Sequence, residues 1–189
     1  MVLSVESWSG QRVSEGLLGC PLCHARYPIH RGAVDFAGRS PAVRHVVPDT
    51  PVDPMRLAAQ LSLTEPGGLL LLTGPYAASA DQLAEFADVT CLVVDAPHAS
   101  SKTGVDIRVN DRLPLVNRAI RGAAIDEVRC SPVFLAEVAR CLRPRGRIVT
   151  PAKSQIPVPG RVVAQDDREL VTEIALSPQT VALKRARPT

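Results

Sequence analysis

The strongest hydrophobic signal in the chain is Gly67-Gly68-Leu69-Leu70-Leu71-Leu72-Thr73-Gly74-Pro75. Four leucines stand between a glycine pair and a Gly-Pro step. The run is too short to cross a bilayer, and it has no polar alternation, so it reads as a strand buried on both faces. Further apolar runs follow at Thr90 to Val94, Ala119 to Ile125 and Arg147 to Thr150. Val105, Ile107 and Val109 alternate, which predicts a strand nearer a sheet edge. Helical spacing lies between several of these runs. Asp53-Pro54 opens a helix with Leu57 and Leu61 one above the other. Ser79 with Gln82 has the form of a capping box ahead of Leu83, Phe86 and Ala87. Ser131-Pro132 precedes Phe134, Leu135, Val138, Cys141 and Leu142, and Pro144 with Gly146 ends that helix before the strand that begins at Arg147. Buried strands alternating with helices predict an α/β fold with a mostly parallel, Rossmann-like sheet. Val162 to Ala164 and Thr180 to Leu183, with a polar segment between them, predict a closing antiparallel hairpin.

The first forty residues follow a different pattern. Residues 1–18 are only loosely amphipathic, through Val2, Val5, Trp8, Val13 and Leu17, and form a strand or a packing arm. Tyr27, Ile29, Val34 and Phe36 alternate across Arg31-Gly32 and predict a small hairpin. Residues 37–52 read as a proline-containing linker. The chain therefore divides into an N-terminal module over residues 1–40 and an α/β domain over residues 53–189.

Composition adds limits. The 189 residues are 46% hydrophobic and 22% charged, a globular balance. Aromatics are 3%, so the core is aliphatic, and 17 prolines imply many short connections. A net charge of +3 with no basic cluster argues against a nucleic-acid partner. No signal peptide and no membrane-length segment is visible. Of the five cysteines, Cys91 and Cys141 fall at positions expected to be buried, which argues against a disulfide framework. A cytoplasmic location is the default expectation.

Candidate chemistry sits in two places. Cys20-Pro21-Leu22-Cys23-His24 places two thiols in one turn, half of a tetrahedral zinc knuckle. The pair does not follow a strand and open a helix, which argues against a redox CxxC; the remaining outcomes are a metal-free turn, a site completed by His30 or His24, and a site in which two chains each contribute Cys20 and Cys23. The second place is the carboxyl edge of the parallel sheet, where open α/β folds bind ligands. Asp95 ends one strand, and Asp126-Glu127 end another. Asp95 can accept hydrogen bonds from ribose hydroxyls or cap the loop that follows it. Asp126 and Glu127 can orient an amine, act as a base, or be solvated loop acids. His98 is a candidate proton acceptor near the same edge. No nucleophile-elbow context accompanies the serines, so hydrolase chemistry is not expected.

Two resemblances follow from these residues. Cys20-Pro21-Leu22-Cys23, Tyr27-Pro28-Ile29 and Gly32 to Phe36 resemble a Trm112-type zinc-ribbon-like module, with one cysteine pair instead of two. A protein partner or a second copy would meet the chain through this module. The second resemblance covers roughly residues 53–186. The strand order, Asp95, Leu113-Pro114-Leu115, and Ala139-Arg140-Cys141-Leu142-Arg143-Pro144-Arg145-Gly146-Arg147 resemble a class I S-adenosylmethionine-dependent methyltransferase domain. That resemblance implies S-adenosylmethionine as cofactor, contacted by Thr73, Gly74 and Asp95, and methyl transfer to an acceptor the sequence does not name. The departures lie in the first loop, Thr73-Gly74-Pro75-Tyr76-Ala77-Ala78-Ser79. It has one glycine where the family has several, threonine in place of an acid, and no full helix after Asp95. A non-catalytic scaffold or partner-binding protein with this fold is the competing expectation, and it predicts Pro75 or Tyr76 in the space of the adenosine.

Overall fold

The computed structural model describes residues 1–10, 12–38, 51–95 and 102–175. The strands are β1 (Val2–Ser9), β2 (Arg12–Gly19), β3 (Arg26–His30) and β4 (Ala33–Asp35), then β5 (Leu69–Thr73), β6 (Thr90–Val94), β7 (Val105–Arg108) and β8 (Ile120–Ala124), then β9 (Leu142–Pro151), β10 (Gly160–Gln165) and β11 (Glu169–Ile174). The helices are α1 (Pro54–Gln60), α2 (Ala80–Ala87) and α3 (Pro132–Cys141), with 3₁₀ turns at Gly74–Ser79 and Glu127–Arg129.

All eleven strands join one sheet in the order β1-β2-β3-β4-β7-β6-β5-β8-β9-β11-β10. The strands β7-β6-β5-β8-β9 are all parallel, and the order in which the chain adds them reverses at β5, the switch point at which doubly wound sheets bind ligands. β11 runs antiparallel between β9 and β10. This is a Rossmann-like mixed sheet, with hairpins added at both ends. Among the described residues, no helix is long and apolar enough to cross a membrane.

The leucine strand lies at the centre and is buried on both faces. Leu70 and Leu72 pack with Leu57, Leu61, Leu83 and Val93 under α1 and α2. Leu71 packs with Leu92, Val94, Phe134, Leu135 and Val138 under α3. Each fully buried leucine contributes about 1.5–3 kcal/mol of transfer free energy, so one strand anchors both layers. Two helix starts are capped as the sequence predicts: Asp53 accepts from the Met55 amide, and Ser131 accepts from the Phe134 amide.

The N-terminal strands extend the sheet. Arg31 and Gly32 have φ of 50° and 83°, the left-handed pair that turns β3 into β4. β4 then pairs in parallel with β7, Val34 opposite Ile107. Two ion pairs accompany the join, Arg12 to Asp106 at 2.7 Å and Arg108 to Asp35 at 2.9 Å. β7 is therefore an interior strand, where alternation alone placed it nearer an edge.

Three local expectations differ. Ser79 has helical backbone and caps nothing through its side chain, because the chain is already wound from Gly74. β9 starts directly after α3, at Leu142, and accommodates Pro144 and Gly146 in a bulge: Leu142 pairs with Ile120 but Arg147 with Gly122. The second strand of the closing hairpin is β11, within the segment read as polar. Its Glu169 and Glu173 are consumed by arginines, so the strand is buried despite its acids. Thr180 to Leu183 lie outside the described residues.

Candidate functional site at the carboxyl edge

The carboxyl ends of β5, β6 and β8 bring Thr73, Asp95 and Asp126 to one edge, and each is engaged by protein. Thr73 is fully buried; its hydroxyl donates to Asp126 Oδ1 at 2.6 Å and accepts from the Asp126 amide at 2.8 Å. The pair stitches the end of β5 to the end of β8. Gly74 follows with φ of 51°, and a Cβ placed there would lie 2.5 Å from the Asp126 carboxyl carbon. Only glycine fits between this backbone and that carboxylate.

The chain then winds into the 3₁₀ turn Gly74–Ser79. Tyr76 is buried within it and joins the core under α1 and α2. Its hydroxyl donates to Glu169 Oε1 at 2.9 Å. Burial, and then the Glu169 carboxylate, push the Tyr76 phenol far above its ordinary range. Glu169 also accepts from Gln60 at 2.8 Å and from Arg56 at 2.9 Å, and Arg56 pairs with Asp166 as well. One carboxylate at the start of β11 thus binds α1 and the first loop to the closing hairpin.

Asp95 has φ of 54°, a left-handed conformation that aspartate tolerates better than most residues. Its carboxylate Oδ2 accepts from Arg129 Nη2, and the two side chains are only 5% and 7% exposed. Arg129 donates in addition to Val109 O at 2.6 Å and Asn110 O at 3.0 Å. Its guanidinium carbon lies 5.2 Å from the Phe134 ring centroid. Arg129 belongs to the 3₁₀ turn Glu127–Arg129 and reaches across to the end of β6. Nothing in Glu127-Val128-Arg129-Cys130 signals that role in the sequence. His98, the candidate proton acceptor, lies outside the described residues.

On the other side of β5 a cleft of about 750 Å³ opens between α1, the first loop and the ends of β8, β9 and β11. Arg56, Gln60, Tyr76 and Glu169 form one wall, and Asp126, Glu127 and Val128 face it. Glu127 is exposed and Asp126 buried, so the two adjacent acids differ in environment. Sequence reading finds these two acids but not Arg56, Gln60 or Glu169, which come from segments more than a hundred residues apart.

The cysteine turn is far simpler. The His24 amide donates to Cys20 O, and the Cys20 amide to Ala25 O, each at 2.9 Å. Amides of Cys23 and Leu22, and then the Cys23 thiol, hold the Cys20 thiol below its ordinary range. His30 Nδ1 lies 2.9 Å from Glu15 Oε2, on the neighbouring strand. Among the described residues no group of three or more His, Cys, Asp or Glu could hold a metal ion. The expected hairpin of residues 26–35 is present, while a zinc-ribbon module finds no support in the described residues.

No family model matches the chain, and no curated protein sequence matches it. Solved structures do. A geranyl diphosphate methyltransferase in complex with GPP and sinefungin is 21% identical, with a TM-score of 0.42, over 51% of this chain and 43% of that one. The [4+2]-cyclase SpnF is 15% identical, with a TM-score of 0.42, over 51% and 43%. A SAM-dependent methyltransferase from Aquifex aeolicus is 13% identical, with a TM-score of 0.46, over 65% and 90%. The chain thus spans less than half the length of the first two. At these values the similarities say nothing about ligand or activity.

Proposed function

We propose that this chain is a non-catalytic binding protein built on the methyltransferase fold, with its cofactor site converted to structure. The observation that carries the reading is the buried Arg129–Asp95 pair. A ribose would have to share this carboxylate, whose Oδ2 already accepts from a guanidinium buried beside it. The other carried-over residues do not fit the cofactor either. The Thr73 hydroxyl is buried and spends its one hydrogen on Asp126, Gly74 faces that same carboxylate, and Pro75 has no amide hydrogen to offer. Tyr76 fills the first loop from within. Binding is then the role left to the carboxyl-edge cleft and to the N-terminal module, through which a protein partner or a second copy would dock.

Isothermal titration with S-adenosylmethionine and with S-adenosylhomocysteine tests this directly. No saturable binding at millimolar ligand is expected. Micromolar binding of either, weakened by Asp95→Ala, would overturn the proposal.

One observation favours the other reading, methyl transfer to an unidentified acceptor. The cleft of about 750 Å³ borders the first loop and presents Glu127 beside Asp126, a place where an acceptor amine could be oriented. The same titration separates the two readings, because methyl transfer requires the cofactor to bind.

A further inference from the structure

We infer that a second cavity, at the amino edge of the sheet, is a binding site for an amphipathic anion: a medium-chain carboxylate of about ten heavy atoms in all. The cavity is about 300 Å³ and lies between the end of α3, the starts of β8, β9 and β10, and the end of β11. It is thus on the opposite edge from Asp126 and the cleft, and it is independent of the cofactor question.

The lining divides by chemistry. Its floor is apolar, from Ala139, Leu142, Val158 and Ile174. Its rim carries Asn117, Arg118, Arg140 and Arg143. Arg140 is fully committed: it donates to Glu137 at 2.6 and 2.8 Å, to Asn117 Oδ1 at 2.7 Å, and to the carbonyls of Leu113 and Leu115. Glu137, which is not part of the lining, is neutralised by that contact, and Arg140 holds its carboxyl below the usual range. Because the Asn117 oxygen is occupied, its NH₂ is the group left to donate. Arg118 and Arg143 have no ion-pair partner among the described residues. Arg118 is also held with φ of 62°, in the left-handed region that non-glycine residues rarely adopt. Arg143 rests with its guanidinium over Gly68, beside Arg121.

The rim therefore offers donors and positive charge, and the floor offers apolar surface. A simple phosphate leaves the floor unused, and an alcohol leaves the two guanidiniums uncompensated. A medium-chain carboxylate satisfies both.

Titration of the full chain with octanoate, octanol and inorganic phosphate, by calorimetry and by amide chemical-shift mapping, tests the proposal. Octanoate is expected to saturate one site, with shifts at Ala139, Leu142 and Ile174, and to bind at least tenfold tighter than either comparison ligand. The Arg118→Gln/Arg143→Gln double variant should weaken octanoate at least tenfold with unchanged thermal melting. Ala139→Leu, which fills the floor, should abolish binding. Absence of saturable octanoate binding, octanol binding as tightly, or no effect of the arginine substitutions would each overturn the assignment.

Discussion

Replacing Arg129 with methionine tests how the carboxyl edge is held together. Met keeps the apolar reach towards Phe134 but removes every donor. Asp95 keeps its place at 5% side-chain exposure and loses its guanidinium. Breaking a buried pair from one side costs about 3–5 kcal/mol, because the remaining charge stays desolvated. Two features set the position in that range. The carbonyls of Val109 and Asn110 also lose their donor, which raises the cost. Arg129 Nε is itself buried with no acceptor, and its removal returns part of a penalty. A value near the low end, about 3 kcal/mol, is expected. For a chain of this size that lowers the melting temperature by roughly 6–12 °C. Urea unfolding followed by far-UV circular dichroism measures it, with an unchanged m-value as the sign that the native state is intact. The Arg129→Met/Asp95→Asn double variant removes the stranded charge as well and should recover at least about half of the loss. A single variant within about 1 kcal/mol of the parent, or a double variant no better than the single, would refute the reasoning.

Four further outcomes are expected. Tyr76 should stay protonated in alkaline titration at 295 nm until the chain unfolds, because burial and Glu169 both disfavour its phenolate; Tyr76→Phe should remove that delayed step and cost about 1 kcal/mol through the lost contact to Glu169. With a thiol reagent at neutral pH, the exposed Cys23 and its neighbour Cys20 should react first. Cys91 and Cys141, pushed by burial up to about 12 and about 11, should react only in denaturant; elemental analysis of protein purified without chelator should find less than one zinc per chain, since two thiolates are half of a structural site. Asp166 accepts from the amides of Glu169 and Arg168 and pairs with Arg56, which together pull its carboxyl down to about 2. The stability it lends is complete above its unfolded value, near pH 4, and is lost as pH falls towards 2. Asp166→Asn should flatten the acid limb of a stability–pH profile in that window, and an unchanged limb would remove Asp166 from the cause.

The sequence makes the fold readable where a local rule and the global packing agree. Leu69 to Leu72 report burial on both faces because helices do cover both, and Asp53-Pro54 and Ser131-Pro132 mark helix starts that need no tertiary information. Reading fails where partners are distant. Glu169 and Glu173 make β11 look polar, since nothing nearby in sequence shows that Arg56, Arg147 and Arg161 will meet them. The same limit applies to the candidate site. Thr73, Gly74 and Asp95 stand at the carboxyl edge of the sheet, but their neighbours there are Asp126 and Arg129. An arginine between Val128 and Cys130 carries no local sign that it will reach across to β6. The cleft is hidden for the same reason, being assembled from α1, the first loop and the closing hairpin.

The parallel pairing of β4 with β7 has a consequence for how the chain acquires its structure during synthesis. Asp35 and Arg108 are 73 residues apart, so the N-terminal strands leave the ribosome long before the strand that receives them exists. Closing so long a loop is entropically slow. In the interval β4 is an unpaired edge, and so is β7 once β6 has bound it, each a template for pairing with another nascent chain. The Arg108–Asp35 contact between β7 and β4, and the Arg12–Asp106 contact between β2 and β7, reward the correct partner with opposite charge. They work as a selectivity device against misassembly as much as a clasp in the finished sheet.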